Sequence, residues 1–119
     1  MLIELRYYQT RDAQRPFVRW LENLADRQAR TRIEARLARM AVGGFGDAEP
    51  VGEGVMELRV DWGPGYRVYF SRVGVVIVLL LCGGDKRTQQ RDIDRAKGYL
   101  EDYKTRTAQG KSRGGQRRL

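Results

Sequence analysis

The chain has 119 residues, 41% of them apolar and 32% charged, which is enough for one hydrophobic core and short for two domains. It has no histidine and a single cysteine, Cys82, so Ser-His-Asp and Cys-His catalysis, His-ligated zinc, thiolate clusters and internal disulfides are excluded. The formal net charge of +8 points to a polyanionic partner.

In chain order, LIELRYY (2–8) alternates, with Ile3, Leu5 and Tyr7 on one face, and predicts a half-buried strand. RPFVRWLENL (15–24) places Phe17, Trp20, Leu21 and Leu24 at helical spacing, and Pro16 suits the first turn. RQARTRIEARLARMAV (27–42) is a second helix with Ala29, Ile33, Leu37 and Met40 inside and an arginine-rich outer face. GGFGDAEPVGEG (43–54) reads as a loop. VMELRV (55–60) and YRVYFS (66–71) are strands joined through DWGPG, and SRVG (71–74) is the next turn. VVIVLLLC (75–82) is apolar on both faces and is expected to be central. The last helix is expected from Arg87 to Tyr103, with Ile93, Ala96, Leu100 and Tyr103 inside and Asp85 or Thr88 as its cap.

The expected fold is a compact α+β domain over residues 1–103, ordered β-α-α-β-β-β-α, with four strands and three helices. Residues 104–119 hold six Lys or Arg and no acid, against 17 basic and 15 acidic side chains in the rest. This segment reads as a disordered basic tail, either merely solvated or an arm adding non-specific affinity for nucleic acid. No apolar run nears the roughly 18 residues of a membrane span. The N-terminus mixes charges into its apolar stretch, unlike a signal peptide, and a cytoplasmic location without membrane contact is expected.

Period-two geometry suggests where chemistry could sit. If Met56, Leu58, Val60, Tyr66, Val68 and Phe70 face the helices, then Glu57, Arg59, Arg67 and Tyr69 share the opposite, open face. Lys86 and Arg87 would reach its rim once Gly83 and Gly84 give the strand a tight exit. Such a cluster suits a phosphodiester backbone, with arginine forks on phosphate and tyrosine against a base. The same alternation also suits a plain wet sheet face on which Glu57 pairs with Arg59 or Arg67. Arg91, Arg95 and Lys97 read as the solvated face of the last helix.

The stretch MELRVDWGPGYRVYFSRVGVVIVLLLCGGDKRTQQRDIDRAKGYLEDY resembles the RelE/ParE toxin superfamily, and its HigB-like branch of addiction-module killer proteins in particular. ELR, GPGYRVYF, the apolar strand, GGDKRTQQRDI and the upstream FVRWLENL carry the resemblance, which covers residues 1 to about 104. It implies a small antiparallel four-stranded sheet with two N-terminal helices on one side. It also implies a type II toxin neutralised by a cognate helix-turn-helix antitoxin, through which alone it would touch DNA. RelE- and HigB-like members are mRNA interferases, cutting mRNA in the ribosomal A site without metal or cofactor. ParE-like members inhibit DNA gyrase instead, and a non-toxic binding module on the same fold is the third possibility. Carried over, Arg67 matches the strand residue at the scissile phosphate, Arg59 another basic residue on that surface, and Lys86 the basic position after the apolar strand. Tyr69 joins these catalytic candidates on geometry, and Arg87 and Glu57 complete the expected RNA-binding surface. The family's late Tyr or His has no histidine here, and Tyr99 and Tyr103 fall in the last helix.

Overall fold

In the computed structural model, which describes the backbone of residues 2–117 and the side chains of residues 2–108, most of the apolar run lies inside a mixed sheet. The elements are β1 (Glu4–Tyr7), α1 (Pro16–Glu22), α2 (Arg27–Ala41), β2 (Ala48–Gly52), β3 (Val55–Val60), β4 (Tyr66–Gly74), β5 (Ile77–Asp85), a 3-10 turn (Lys86–Thr88) and α3 (Gln89–Arg117). The sheet order is β1-β5-β4-β3-β2. The α+β class and the three helices are as expected.

Two details of the sheet differ from expectation. It has five strands, because β2 forms inside the segment read as a loop. Pro50 is tolerated there because β2 is an edge strand, where a missing N–H breaks no ladder. The β2–β3 hairpin turns through Gly52, Glu53 and Gly54, all at positive φ, which is why glycines bracket it. The sheet is also mixed, since β1 runs parallel to β5 with Leu5 opposite Val78. Alternation in β1 is the same in either direction. The crossover through α1 and α2 carries the chain from β1 to β2 at the opposite edge, and the antiparallel run β2 to β5 then brings β5 back beside β1 in the same sense.

Local chemistry explains the helices. Pro16 opens α1. The Asp26 carboxylate accepts from the backbone N–H groups of Gln28 (2.9 Å) and Ala29 (3.2 Å), capping α2. The α2 stripe Ala29, Ile33, Leu37 and Met40 is buried, as its spacing predicts. It packs with Phe17 on Leu58, Val60, Val68, Phe70, Val78 and Leu80.

The opposite face is not open. α3 covers it with Ile93, Ala96 and Leu100, over Val55, Tyr69, Leu79, Leu81 and Cys82. A strand apolar on both sides needs cover on both sides, and α3 supplies the second layer. Cys82 is a core residue, its thiol pushed up to about 12 by burial.

The expected turn at 71–74 is strand, and the reversal falls at Val75 and Val76. Gly83 and Gly84 are likewise strand residues, paired with Val68 and Arg67, and not an exit. A bulge sets their directions: Tyr69 faces Cys82 while Phe70 faces Leu80, so Leu81 is extra and the alternation flips beyond it. A Cβ on Gly83 would stand 2.2 Å from the Trp20 ring, and one on Gly84 1.8 Å from Asp92 Oδ2. These glycines allow α1 and α3 to approach β5 from opposite sides.

The last helix does not stop at Tyr103. Residues 104–108, expected in a disordered tail, continue α3, where the Arg106 guanidinium donates to the Gln9 carbonyl (2.6 Å) and to Asp102 (2.7 Å). The backbone of α3 runs on to Arg117, and Arg118 and Leu119 lie outside the described residues. No helix is long and apolar enough to cross a membrane among the described residues.

Asp102 ties α3 to the segment that follows β1. It accepts from the Tyr8 hydroxyl at 2.6 Å and from Arg11 at 3.1 Å. The Tyr8 bond, then those of Arg11 and Arg106, hold its carboxyl below the usual range, while burial and Asp102 push Tyr8 up to about 12. A carboxyl depressed in the folded state contributes stability above its unfolded pKa of about 3.9, and that contribution is lost as pH falls through the folded value. Asp102→Asn should therefore lower the urea midpoint at pH 7, and the gap from wild type should narrow as pH falls below about 4. An equal gap at both pH values would show that Asp102 acts without its charge.

Candidate functional site

The β3–β4 pairing brings four expected side chains together in two cross-strand pairs, Glu57 opposite Tyr69 and Arg59 opposite Arg67. The faces assigned from period two are correct. Their exposure is not, because the N-terminal end of α3 lies over them. Tyr69 is 0% exposed and Glu57 3%. The Tyr69 hydroxyl donates to Glu57 Oε2 at 2.9 Å, and burial, followed by Glu57 itself, drives its pKa far above the usual phenol range. Tyr69 thus cannot line an open surface, and Glu57 is a buried acceptor rather than an exposed RNA contact.

Gln89, unforeseen in the sequence, gives Glu57 a second hydrogen bond at 2.9 Å from its Nε2. It is the first residue of α3, and no periodicity marks which side chain at a helix start turns back to a sheet. Arg67 Nε stands 3.6 Å from Glu57 Oε2, and Arg59 Nε 3.8 Å from Oε1. The pairing of Glu57 with both arginines, the plainer of the two sequence expectations, is therefore present. Arg59 also reaches Glu49 Oε1 on β2 at 2.5 Å and Asp47 Oδ1, just before β2, at 3.8 Å.

One carbonyl joins the two motifs. Gly65 O accepts from Arg67 Nη1 at 3.0 Å and from the Lys86 backbone N–H at 3.0 Å. GPGYR and GGDKR, separate in sequence, meet there. Asp85 caps the turn at Lys86 by accepting from the Arg87 N–H at 2.8 Å, and its other oxygen takes Arg87 Nη2 at 2.9 Å. The Arg87 side chain is 79% exposed, whereas that of Arg67 is 12% exposed. Lys86 is exposed, and among the described residues no carboxylate pairs with it.

The arrangement is a rim of Lys86, Arg87, Arg67 and Arg59, its arginines ion-paired with Asp85, Glu57, Glu49 and Asp47 and Lys86 without a carboxylate partner among the described residues, braced from beneath by the Glu57–Tyr69–Gln89 cluster. Its donors can hold an anion and stabilise charge developing on it. Among the described residues no group of three or more His, Cys, Asp and Glu side chains could hold a metal ion.

Tyr69→Phe deletes one buried hydrogen bond and leaves Glu57 with Gln89 and the two arginines. It should cost about 1 kcal/mol in chemical denaturation and keep the far-UV spectrum. A neutral result would mean that Tyr69 contributes by packing alone.

No family model matches the chain. Among curated proteins, one of Haemophilus influenzae, named as uncharacterized, is 49% identical over 81 residues, covering 68% of this chain and 82% of its own length.

Proposed function

The chain belongs to the same family as this Haemophilus influenzae protein, and we propose that it is a RelE/ParE-type toxin of a type II toxin–antitoxin system that cuts mRNA. The observation that carries this reading is the Gly65 carbonyl, which draws Arg67 and Lys86 to one rim. In the proposed reaction the 2′-hydroxyl gives its proton to water and its oxygen attacks the adjacent phosphorus. The bond to the 5′-oxygen breaks, that oxygen takes a proton from water, and a 2′,3′-cyclic phosphate and a 5′-hydroxyl remain. Arg67 holds the phosphorane oxygens through its fork, and Lys86 balances charge on the departing oxygen. Arg59 and Arg87 take flanking phosphates. Glu57, Tyr69 and Gln89 act as positioning residues that hold Arg67 against the sheet. The ribosomal A site would help to set the in-line geometry, and a helix-turn-helix antitoxin would neutralise the toxin in the cytoplasm.

One observation favours a second reading. Tyr69, the tyrosine among the catalytic candidates on this face, is buried with its pKa raised. A ParE-like gyrase inhibitor needs no acid–base group. Induced expression without antitoxin, with transcript 5′-ends mapped, separates the two. New 5′-ends inside coding regions support the nuclease. Growth arrest without them, accompanied by loss of gyrase supercoiling, supports the inhibitor. Harmless expression refutes both.

A further inference from the structure

A groove of about 430 Å³ separates α1 from α3 at the end of β1, within the usual range of ligand sites. Thr10, Gln14, Arg19, Trp20, Arg95 and Tyr99 line it. Arg19 and Arg95 are exposed and face it from different helices, and among the described residues no carboxylate pairs with either. Trp20 and Tyr99 are both half-buried, each leaving part of its ring accessible. Packing holds both rings: Trp20 sits against Gly83 and edge-on to Tyr66, and Tyr99 stacks on Tyr8 at 4.8 Å. Arg91 and Arg95, one turn apart and exposed, lead along α3 from Arg87 to this groove. Across β5 the groove and the basic rim are neighbours, since Gly83 lies under Trp20 while Gly84 pairs with Arg67.

We propose that this groove is a second contact for single-stranded RNA, with Arg19 and Arg95 on successive phosphates and a base against the Trp20 and Tyr99 rings. Fixed aromatic surface beside unpaired arginines is the combination that holds single strands without reading sequence. An acidic peptide would use the arginines and leave the rings idle. The identity of the ligand rests on the RNA reading of the Arg67 rim, while the groove itself is a separate surface. It extends the bound strand beyond the cleavage point, so the flanking nucleotides also contribute to affinity.

The test uses the full chain and a 2′-O-methyl oligouridine of about twelve nucleotides, which lacks the attacking hydroxyl and spans both surfaces. Fluorescence anisotropy gives Kd against salt, and a 5-iodouracil version reports by photo-cross-linking which rings touch a base. Arg19→Ala/Arg95→Ala should weaken binding about tenfold and flatten the salt slope by about 1.4, as two lost phosphate contacts require. Both side chains are exposed, so circular dichroism should be unchanged. Cross-links should map to Trp20 or Tyr99. Unchanged affinity, with cross-links elsewhere, overturns the groove; Arg67→Ala in the same assay then judges the rim independently. Weakening by the groove variant but not by Arg67→Ala supports the groove and removes the rim. No RNA binding by wild type, but binding of oligoglutamate lost in the groove variant, overturns the proposal in favour of an acidic peptide.

Discussion

Arg67→Ala is expected to abolish growth arrest and the new transcript 5′-ends while leaving a folded protein. Arg67 is the one arginine joined both to Glu57 and to the carbonyl that carries Lys86. Loss of one preorganised donor to a developing oxyanion typically costs about 10²- to 10³-fold in rate. Truncation also leaves Glu57 buried with one cation fewer, although Tyr69, Gln89 and Arg59 remain. The expected stability loss is about 1–3 kcal/mol, the usual cost of orphaning a buried polar group. The double variant Arg67→Ala/Glu57→Gln separates the two effects. Removing both charges restores part of the stability, because no unpaired carboxylate stays behind, but it cannot restore a phosphate contact. A stable, inactive double variant therefore assigns Arg67 to the chemistry. A folded Arg67→Ala protein that still arrests growth would remove Arg67 from the site.

Gly83→Ala should be among the most damaging single-methyl additions in the chain. The added Cβ would lie 2.2–2.6 Å from three atoms of the Trp20 ring. Trp20 cannot swing aside freely, since Phe17 and Tyr66 pack against it at 5.9 and 6.3 Å. Either α1 lifts from the sheet or β5 bends, and overpacking of this kind costs about 3 kcal/mol. The denaturation midpoint should fall accordingly. In a Trp20→Ala background the same substitution should cost much less, because the clashing ring is gone; the difference is the coupling between the two positions. Equal costs in both backgrounds would mean that Gly83 is needed for its backbone rather than for the space.

Gly83 also shows where local reading ends. In the sequence, GG after an apolar strand looks like an exit, because a glycine pair between an apolar run and a charged one usually marks a turn. That Trp20, 63 positions earlier, needs the vacant side of Gly83 depends on α1 packing over β5. Tyr69 is a parallel case. Alternation correctly put Glu57, Arg59, Arg67 and Tyr69 on one face. It could not say that α3 covers half of that face, although VVIVLLLC, apolar on both sides, carried the hint. Gln89 had no signal at all, being a polar residue at a helix start.

Composition and periodicity alone settled the α+β class, the helix stripes Ala29–Ile33–Leu37–Met40 and Ile93–Ala96–Leu100, the absence of histidine chemistry and the clustering of basic residues near Arg67. These follow from rules that act within one element, where spacing fixes direction. The tertiary structure decided the parallel sense of β1, the fifth strand, the burial of Tyr69 and Glu57, the junction of Arg67 with Lys86 at Gly65, and the α1–α3 groove. Each joins segments far apart in the chain, and neither propensity nor period carries information about which distant surface covers a given face.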